Sequence, residues 1–233
     1  MERHVVAMGG GGFSMDDPVL DRYVLDLSGA ARPKVCFLPT ASGDAAGYQQ
    51  AFLEAFPATS FAPSVLRLFE REVADVTAFL GEQDVVYVGG GNTAIMLAAW
   101  RLHGVDAALR AAWEAGVVMA GLSAGANCWF EASTTDSFLV GRADPLRDGL
   151  GLLAGSFTPH YDGEAARRPS LHAHVASGAL PPGLACDDFA AVRFSGTELV
   201  EAVASRPGAS CYRIARGAGG DAEEEPVRTR CLV

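Results

Sequence analysis

The residues Gly121-Leu122-Ser123-Ala124-Gly125 carry the strongest chemical signal in the chain. An apolar run at 117–120 precedes them, and a helical pattern begins at Ala124. A serine on a sharp strand-to-helix turn projects its hydroxyl outward, and small residues beside it tolerate the crowded backbone. The N–H after the serine then lies at a helix N-terminus, where it can stabilise an oxyanion. The expected chemistry is nucleophilic acyl transfer by Ser123, with Ala124 as one oxyanion donor.

A hydroxyl is a poor nucleophile without a neighbouring base. Of the five histidines, His4 falls in a first strand and His103 at a helix end, where structural roles are expected. His172 and His174 are two apart in a helical pattern, so they point to different faces and make a poor metal pair. His160, in Thr158-Pro159-His160-Tyr161-Asp162, follows the serine and sits in a loop, which makes it the expected base. A third group must orient the imidazole. Asp136 of Thr134-Thr135-Asp136-Ser137 is the first candidate because it lies between Ser123 and His160 in the chain. Asp188 is the second and Glu198 the third.

A glycine-rich turn, Gly89-Gly90-Gly91-Asn92-Thr93, also closes a strand and opens a helix. Its backbone, with Gly90 and Asn92, can approach a substrate closely and supply a second oxyanion N–H. A helix cap at Asn92 or Thr93 is compatible with that role. The glycines at 9–12 do not make a dinucleotide fingerprint, since Ser14 stands where its last glycine belongs and no acidic residue closes the second strand at 39–42. No cofactor is expected.

Strands are expected at 4–8, 35–38, 65–69, 84–88 and 117–120, with helical patterns from about 18 to 27, 44 to 56, 93 to 102 and 105 to 115. Continuous apolar strands alternating with helices imply a parallel sheet covered on both faces. Right-handed crossovers then bring 9–12, 39–40, 89–93 and Ser123 to one sheet edge. After about residue 135 the runs are short: 138–140, 190–194, 199–203, 211–215 and a returning edge strand at 227–233, with an exposed hairpin loop from 217 through Pro226. The expected fold is a single α/β domain spanning 1–233, a three-layer α/β/α sandwich with a mostly parallel central sheet and a few antiparallel C-terminal strands.

With 28 acidic and 18 basic residues the net charge is -10, which argues against a nucleic-acid partner. No run approaches the roughly 20 apolar residues needed to cross a bilayer, and the start lacks the pattern of a signal peptide. Five cysteines without a CxxC pair read as reduced thiols, so a cytoplasmic setting without membrane association is expected. The oligomeric state is left open, a homodimer included.

Strand–GGGNT–helix, then GLSAGA with Asn127 behind it, then TTD, then PHYD, resembles the peptidase E family of serine peptidases. Its relatives include cyanophycinase, and its fold is similar to that of class I glutamine amidotransferases. The resemblance runs through nearly the whole chain. It implies a flavodoxin-like sandwich that hydrolyses small peptides after an N-terminal aspartate, without metal or cofactor. By matched position Ser123 is the nucleophile, His160 the base, Asp136 the acid near TTD, and Gly91 and Ala124 the oxyanion donors. Some relatives place the acid near Asp188 instead. An aspartyl substrate needs a cationic partner, best an arginine, for which Arg167 and Arg168 are the candidates. Two other readings compete: an α/β-hydrolase esterase, and a catalytically idle module that binds small acidic metabolites.

Overall fold

The computed structural model describes residues 2–233. Its first half alternates strand and helix: β1 (His4–Met8), α1 (Pro18–Asp26), β2 (Lys34–Leu38), α2 (Ala46–Ala55), β3 (Ala62–Val65), α3 (Val76–Gly81), β4 (Val85–Val88), α4 (Thr93–His103), α5 (Val105–Glu114) and β5 (Val118–Leu122). The second half is strand-rich: α6 (Ala124–Asn127), β6 (Phe130–Thr135), β7 (Asp144–Leu146), β8 (Leu153–Thr158), α7 (Arg167–Ser177) and β9 (Gly183–Cys186). It ends with β10 (Ala190–Ser195), β11 (Glu198–Ala204), β12 (Cys211–Arg216), β13 (Ala222–Val227) and β14 (Thr229–Cys231).

The main sheet has the order β14-β11-β10-β1-β5-β4-β2-β3. The five strands from β1 to β3 are mutually parallel, and β10 and β11 extend the sheet antiparallel to its neighbours. Successive strand residues face opposite sides, so each apolar strand feeds two cores. Val5, Ala7, Cys36, Leu38, Val86, Val88 and Met119 pack on one side against Leu80, Leu97, Trp100, Leu109 and Trp113 from α3, α4 and α5. Val6, Met8, Phe37, Tyr87 and Ala120 pack on the other against Leu20, Val24, Phe52 and Phe56 from α1 and α2. These are the three expected layers.

A second, six-stranded sheet, β13-β12-β9-β8-β6-β7, was not foreseen from the sequence. It is joined to the first by the same core, because Trp129, Phe130, Phe157, Leu184 and Cys186 belong to the cluster that underlies α4 and α5. Its other face is covered by α7 through Leu171 and Val175.

Several expected boundaries are corrected. The third strand is Ala62–Val65, earlier than 65–69. The helix after Ser123 is a single turn before the chain enters β6. Residues 138–140 form no strand, and Phe138, Leu139 and Val140 are exposed. Residues 223–226, expected in a loop, lie in β13 instead. Pro226 is tolerated there because β13 is an edge strand, where a missing N–H costs no ladder bond.

Candidate active site

β5 delivers Ser123 to the edge where the strands of the main sheet end. Its backbone is held at φ 55°, ψ −118°, a conformation a non-glycine residue adopts only at a cost of about 1–3 kcal/mol. The surrounding packing imposes it. A Cβ on Gly121 would stand 2.2 Å from the Gly125 carbonyl oxygen, and one on Gly125 would stand 2.2 Å from that of Val88. Only glycine at both positions lets the strand fold back so tightly and press against β4. Helix α6 starts immediately, with the Ala126 and Asn127 N–H groups bonded to the Ser123 carbonyl at 3.0 Å each.

As the first residue of α6, Ala124 has an N–H without an intrahelical acceptor. The loop after β4 runs beside the serine, since a Cβ on Gly90 would lie 3.3 Å from Ser123 Cβ and 3.7 Å from Oγ. The Gly90 N–H is occupied by the Tyr48 hydroxyl at 3.2 Å. Gly91, at φ 135°, has no acceptor for its N–H among the described residues. Asn92 takes up a structural position: its Oδ1 caps α4 at the Ile95 N–H, 2.9 Å, and its Nδ2 donates to the Ser137 carbonyl at 3.0 Å.

His160 follows β8 with its backbone in the left-handed region, φ 50°. Its Nδ1 lies 2.6 Å from Asp188 Oδ1, and both side chains are four-fifths buried. A carboxylate only accepts, so this contact fixes the proton on Nδ1 and leaves Nε2 free to take another. The pair is buttressed from three directions. The Asp188 N–H is bonded to Asp162 Oδ1 at 2.9 Å, and Gly163 passes so close that a Cβ would sit 2.5 Å from Asp188 Oδ2. The third support is the chain leaving β1. A Cβ on Gly10 would be 2.1 Å from Asp188 Oδ1 and 3.1 Å from His160 Cε1. The Ser123 N–H bonds to the carbonyl of Met8, at the end of the same strand, at 3.2 Å. One strand end thus braces both the serine turn and the histidine–carboxylate pair.

The structure does not bring Asp136, the first candidate for the acid, to the histidine. Asp136 leaves β6 toward the N-terminus of α7, is nearly half exposed, and faces Arg167 Nη2 at 3.7 Å. The carboxylate at the histidine is Asp188, the second candidate. Glu198 opens β11 opposite Ser195, whereas Ala190, beside Asp188, pairs with the other end of β11 at Ala204. It therefore lies at the far end of the sheet from the site.

Comparison with known proteins shows the family. The description of peptidase family S51 matches residues 5–202. The chain belongs to peptidase family S51. It is 49% identical over 216 residues to the uncharacterized peptidase YgaJ of Bacillus subtilis strain 168, covering 91% of this chain and 92% of that protein. Peptidase E of Citrobacter koseri is 40% identical over 94 residues, 39% of this chain and 40% of its own length. Among solved structures, a peptidase from an acI-B1 Actinobacterium superposes with a TM-score of 0.70 at 16% identity, over 98% of this chain and 96% of its own. A Listeria monocytogenes EGD-e protein assigned to peptidase E gives 0.62 at 19% identity, over 86% of this chain and 98% of its own. The S51 chain is a serine-type peptidase, which sets aside the esterase alternative.

The two arginines proposed from sequence have different surroundings. Arg168 stacks over Tyr161 and Tyr212, with its guanidinium carbon 4.3 and 4.8 Å from the ring centres, and is ion-paired with Glu224. Glu224 also receives the Tyr161 hydroxyl at 2.6 Å and faces His172 Nε2 at 2.8 Å, so Arg168 is committed to holding α7 against the β12–β13 hairpin. Arg167 is buried. Its Nε donates to Glu164 at 2.6 Å, its Nη1 to the Thr134 carbonyl at 3.3 Å, and its Nη2 stands beyond hydrogen-bond range of Asp136. The same Thr134 carbonyl receives Asn127 Nδ2 at 3.0 Å. Asn127 lies one turn past Ser123 on α6, so Arg167 is tied to the helix that carries the serine.

The sequence places Gly10 at this edge and carries Asn127, Thr93, Thr134, Thr135 and Thr158 within its motifs, but it assigns none of them an individual role; the structure shows the four threonines buried at this junction. The run of four glycines was the available signal for Gly10: it marks close passage of backbone, here past Asp188. Cys128, on the helix behind Ser123, is fully buried, and burial pushes its thiol well above the ordinary range. His174 faces the Ala143 carbonyl at 2.9 Å. Among the described residues, no helix is long and apolar enough to cross a membrane.

Proposed function

We propose that the protein hydrolyses short peptides with an N-terminal aspartate through a Ser123–His160–Asp188 triad and an acyl-enzyme. His160 Nε2 removes the Ser123 proton as Oγ attacks the scissile carbonyl. The Gly91 and Ala124 N–H groups receive the oxyanion. His160, now protonated and stabilised by Asp188, donates to the leaving amine, and water attacks the ester by the reverse path. The single observation that supports this reading best is the 2.6 Å His160–Asp188 contact, braced by the same β1 end that holds the strained Ser123 turn.

Arg167 supports the aspartyl preference. It is a buried cation with an Nη2 that no carboxylate holds at hydrogen-bond distance, and a substrate β-carboxylate would complete its coordination. The substrate is a small peptide, in a chain that acts without metal or dinucleotide and away from membranes and nucleic acid, in the cytoplasm.

The test is release of p-nitroaniline from aspartyl-p-nitroanilide by the wild type and by Ser123→Ala, with a serine-reactive phosphonate as an independent probe. Turnover lost in the variant, with the phosphonate on Ser123, is the expected result. Labelling without turnover would overturn the aspartyl preference alone. Absence of labelling would overturn the triad and favour the binding-module reading.

A further inference from the structure

Cys186 and Cys211 lie on the neighbouring strands β9 and β12, directly opposite each other in the antiparallel register. Both are fully buried, and their sulfurs are 2.9 Å apart, closer than two thiols sit when merely packed. Neither has a part in the peptidase chemistry.

The backbone around them is arranged for a cross-link. Antiparallel neighbours alternate between pairs that exchange backbone hydrogen bonds and closer pairs that exchange none, with Cα atoms about 4.5 Å apart in the second kind. The next pair along carries the bonds: the Asp187 N–H donates to the Ser210 carbonyl, and the Ser210 N–H to Asp187 Oδ2, both at 3.0 Å. The cysteine backbones turn outward. The Cys186 carbonyl accepts from the Tyr161 N–H at 3.1 Å, and the Cys211 N–H donates to Thr229 Oγ1 at 3.2 Å. The 186–211 pair is therefore of the close kind, within the Cα separation of roughly 4.4–6.8 Å that disulfides require.

We propose that Cys186 and Cys211 are a disulfide-forming pair that clamps β9 to β12 behind the Asp187–Asp188 turn. The co-reactant is a small disulfide such as oxidised glutathione. One cysteine thiolate attacks it, releasing one glutathione thiol and forming a mixed disulfide. The second cysteine then displaces the other glutathione. Two protons and two electrons pass from the cysteines to the glutathione pair, and the bond is reversed by excess thiol. Burial shields both thiols in the closed fold, so exchange takes place while the terminal β12–β13 hairpin is open, during folding or its local opening. The proposal does not depend on the peptidase reading, because it is read from thiols and stability.

The experiment uses full-length protein carrying Cys231→Ser, which removes the exposed thiol and leaves four buried ones. The protein is refolded from denaturant in a mixture of reduced and oxidised glutathione, then denatured without reductant for thiol counting and peptide mapping. The expected result is two free thiols, a 186–211 cross-linked peptide, and a Tm higher than that of the reduced protein by roughly 5–10 °C. Dithiothreitol should return both the count and the Tm. Four free thiols, or a bond using Cys36 or Cys128, would overturn the proposal. If refolding fails, the folded reduced protein is held with diamide in sub-denaturing urea and the same count is read, with the same outcomes deciding.

Discussion

Arg167 and Asp136 face each other across the junction of β6 and α7, Nη2 to Oδ1 at 3.7 Å, and this leaves the orientation of His160 to Asp188. The two aspartates should therefore respond differently to neutralisation. Asp188→Asn removes the negative charge beside the imidazole and lets an amide N–H face Nδ1 in place of an oxygen that only accepts, which favours the wrong tautomer, and it should lower kcat by on the order of 10²–10⁴-fold. Asp136→Asn should stay within a few-fold of wild type. Steady-state kinetics on both variants, with circular dichroism to verify folding, checks the assignment. The reverse ranking would return the acid to Asp136.

Gly10 offers a test that changes no ionisable group. A methyl group there would come within 2.1 Å of Asp188 Oδ1, so Gly10→Ala must push the carboxylate or the β1 end aside. Misplacement of about 1 Å costs on the order of 10²-fold in rate. We expect kcat to fall by about 10–10²-fold with KM little changed. Ordinary kinetics in the variant would show that Gly10 does not set the position of the pair.

Gly10 also marks the limit of what the sequence reveals. Strands β1, β2, β4 and β5 are continuous apolar runs, and the turn at Ser123 is local, so its glycines and serine declare themselves within five residues. The contact between Gly10 and Asp188 joins chain segments far apart, and nothing in the spacing of either announces the other. Asp136 looked better placed because it is near Ser123 in the chain, but β6 carries it to α7. The second sheet was hidden for a related reason. β6 reads Phe-Glu-Ala-Ser-Thr-Thr, with its buried Ser133, Thr134 and Thr135 polar in composition. Their burial depends on partners such as the Thr158 hydroxyl, 3.0 Å from that of Thr134, which only the fold supplies. Conversely, Phe138, Leu139 and Val140 are apolar enough to suggest a strand and yet lie exposed in a loop.

On the far face of the main sheet, Asp21 is buried and receives the Tyr87 hydroxyl at 2.9 Å. Burial is the main cause that raises its carboxyl from 3.8 to about 7, and the charge of Asp17 adds to it. A carboxyl that binds its proton more tightly when folded makes the native state lose stability as pH rises through the interval from about 4 to about 7, with the loss complete above it. The full loss is about 4 kcal/mol at most. Asp21→Asn keeps an oxygen acceptor for Tyr87 and abolishes the titration. Its stability relative to wild type should improve by about 2–3 kcal/mol between pH 5 and pH 8, read from urea unfolding at both values. A constant difference would place the titration elsewhere.

The last prediction separates the adjacent arginines. Arg168 lies between Tyr161, Tyr212 and Glu224, and its guanidinium is partly exposed, so Arg168→Gln should lower stability by about 1 kcal/mol through lost stacking and a weakened ion pair. It should leave the preference for aspartyl over alanyl substrates unchanged. Arg167 is buried with its Nη2 outside hydrogen-bond range of Asp136. If that cation receives the substrate carboxylate, Arg167→Gln should reduce kcat/KM for an aspartyl substrate by on the order of 10²-fold while changing the alanyl rate far less. The quantity to measure is the ratio of the two kcat/KM values, because any general loss of folding or of triad geometry cancels in it. A ratio unmoved by Arg167→Gln would assign Arg167 to the scaffold and place recognition of the carboxylate at another residue.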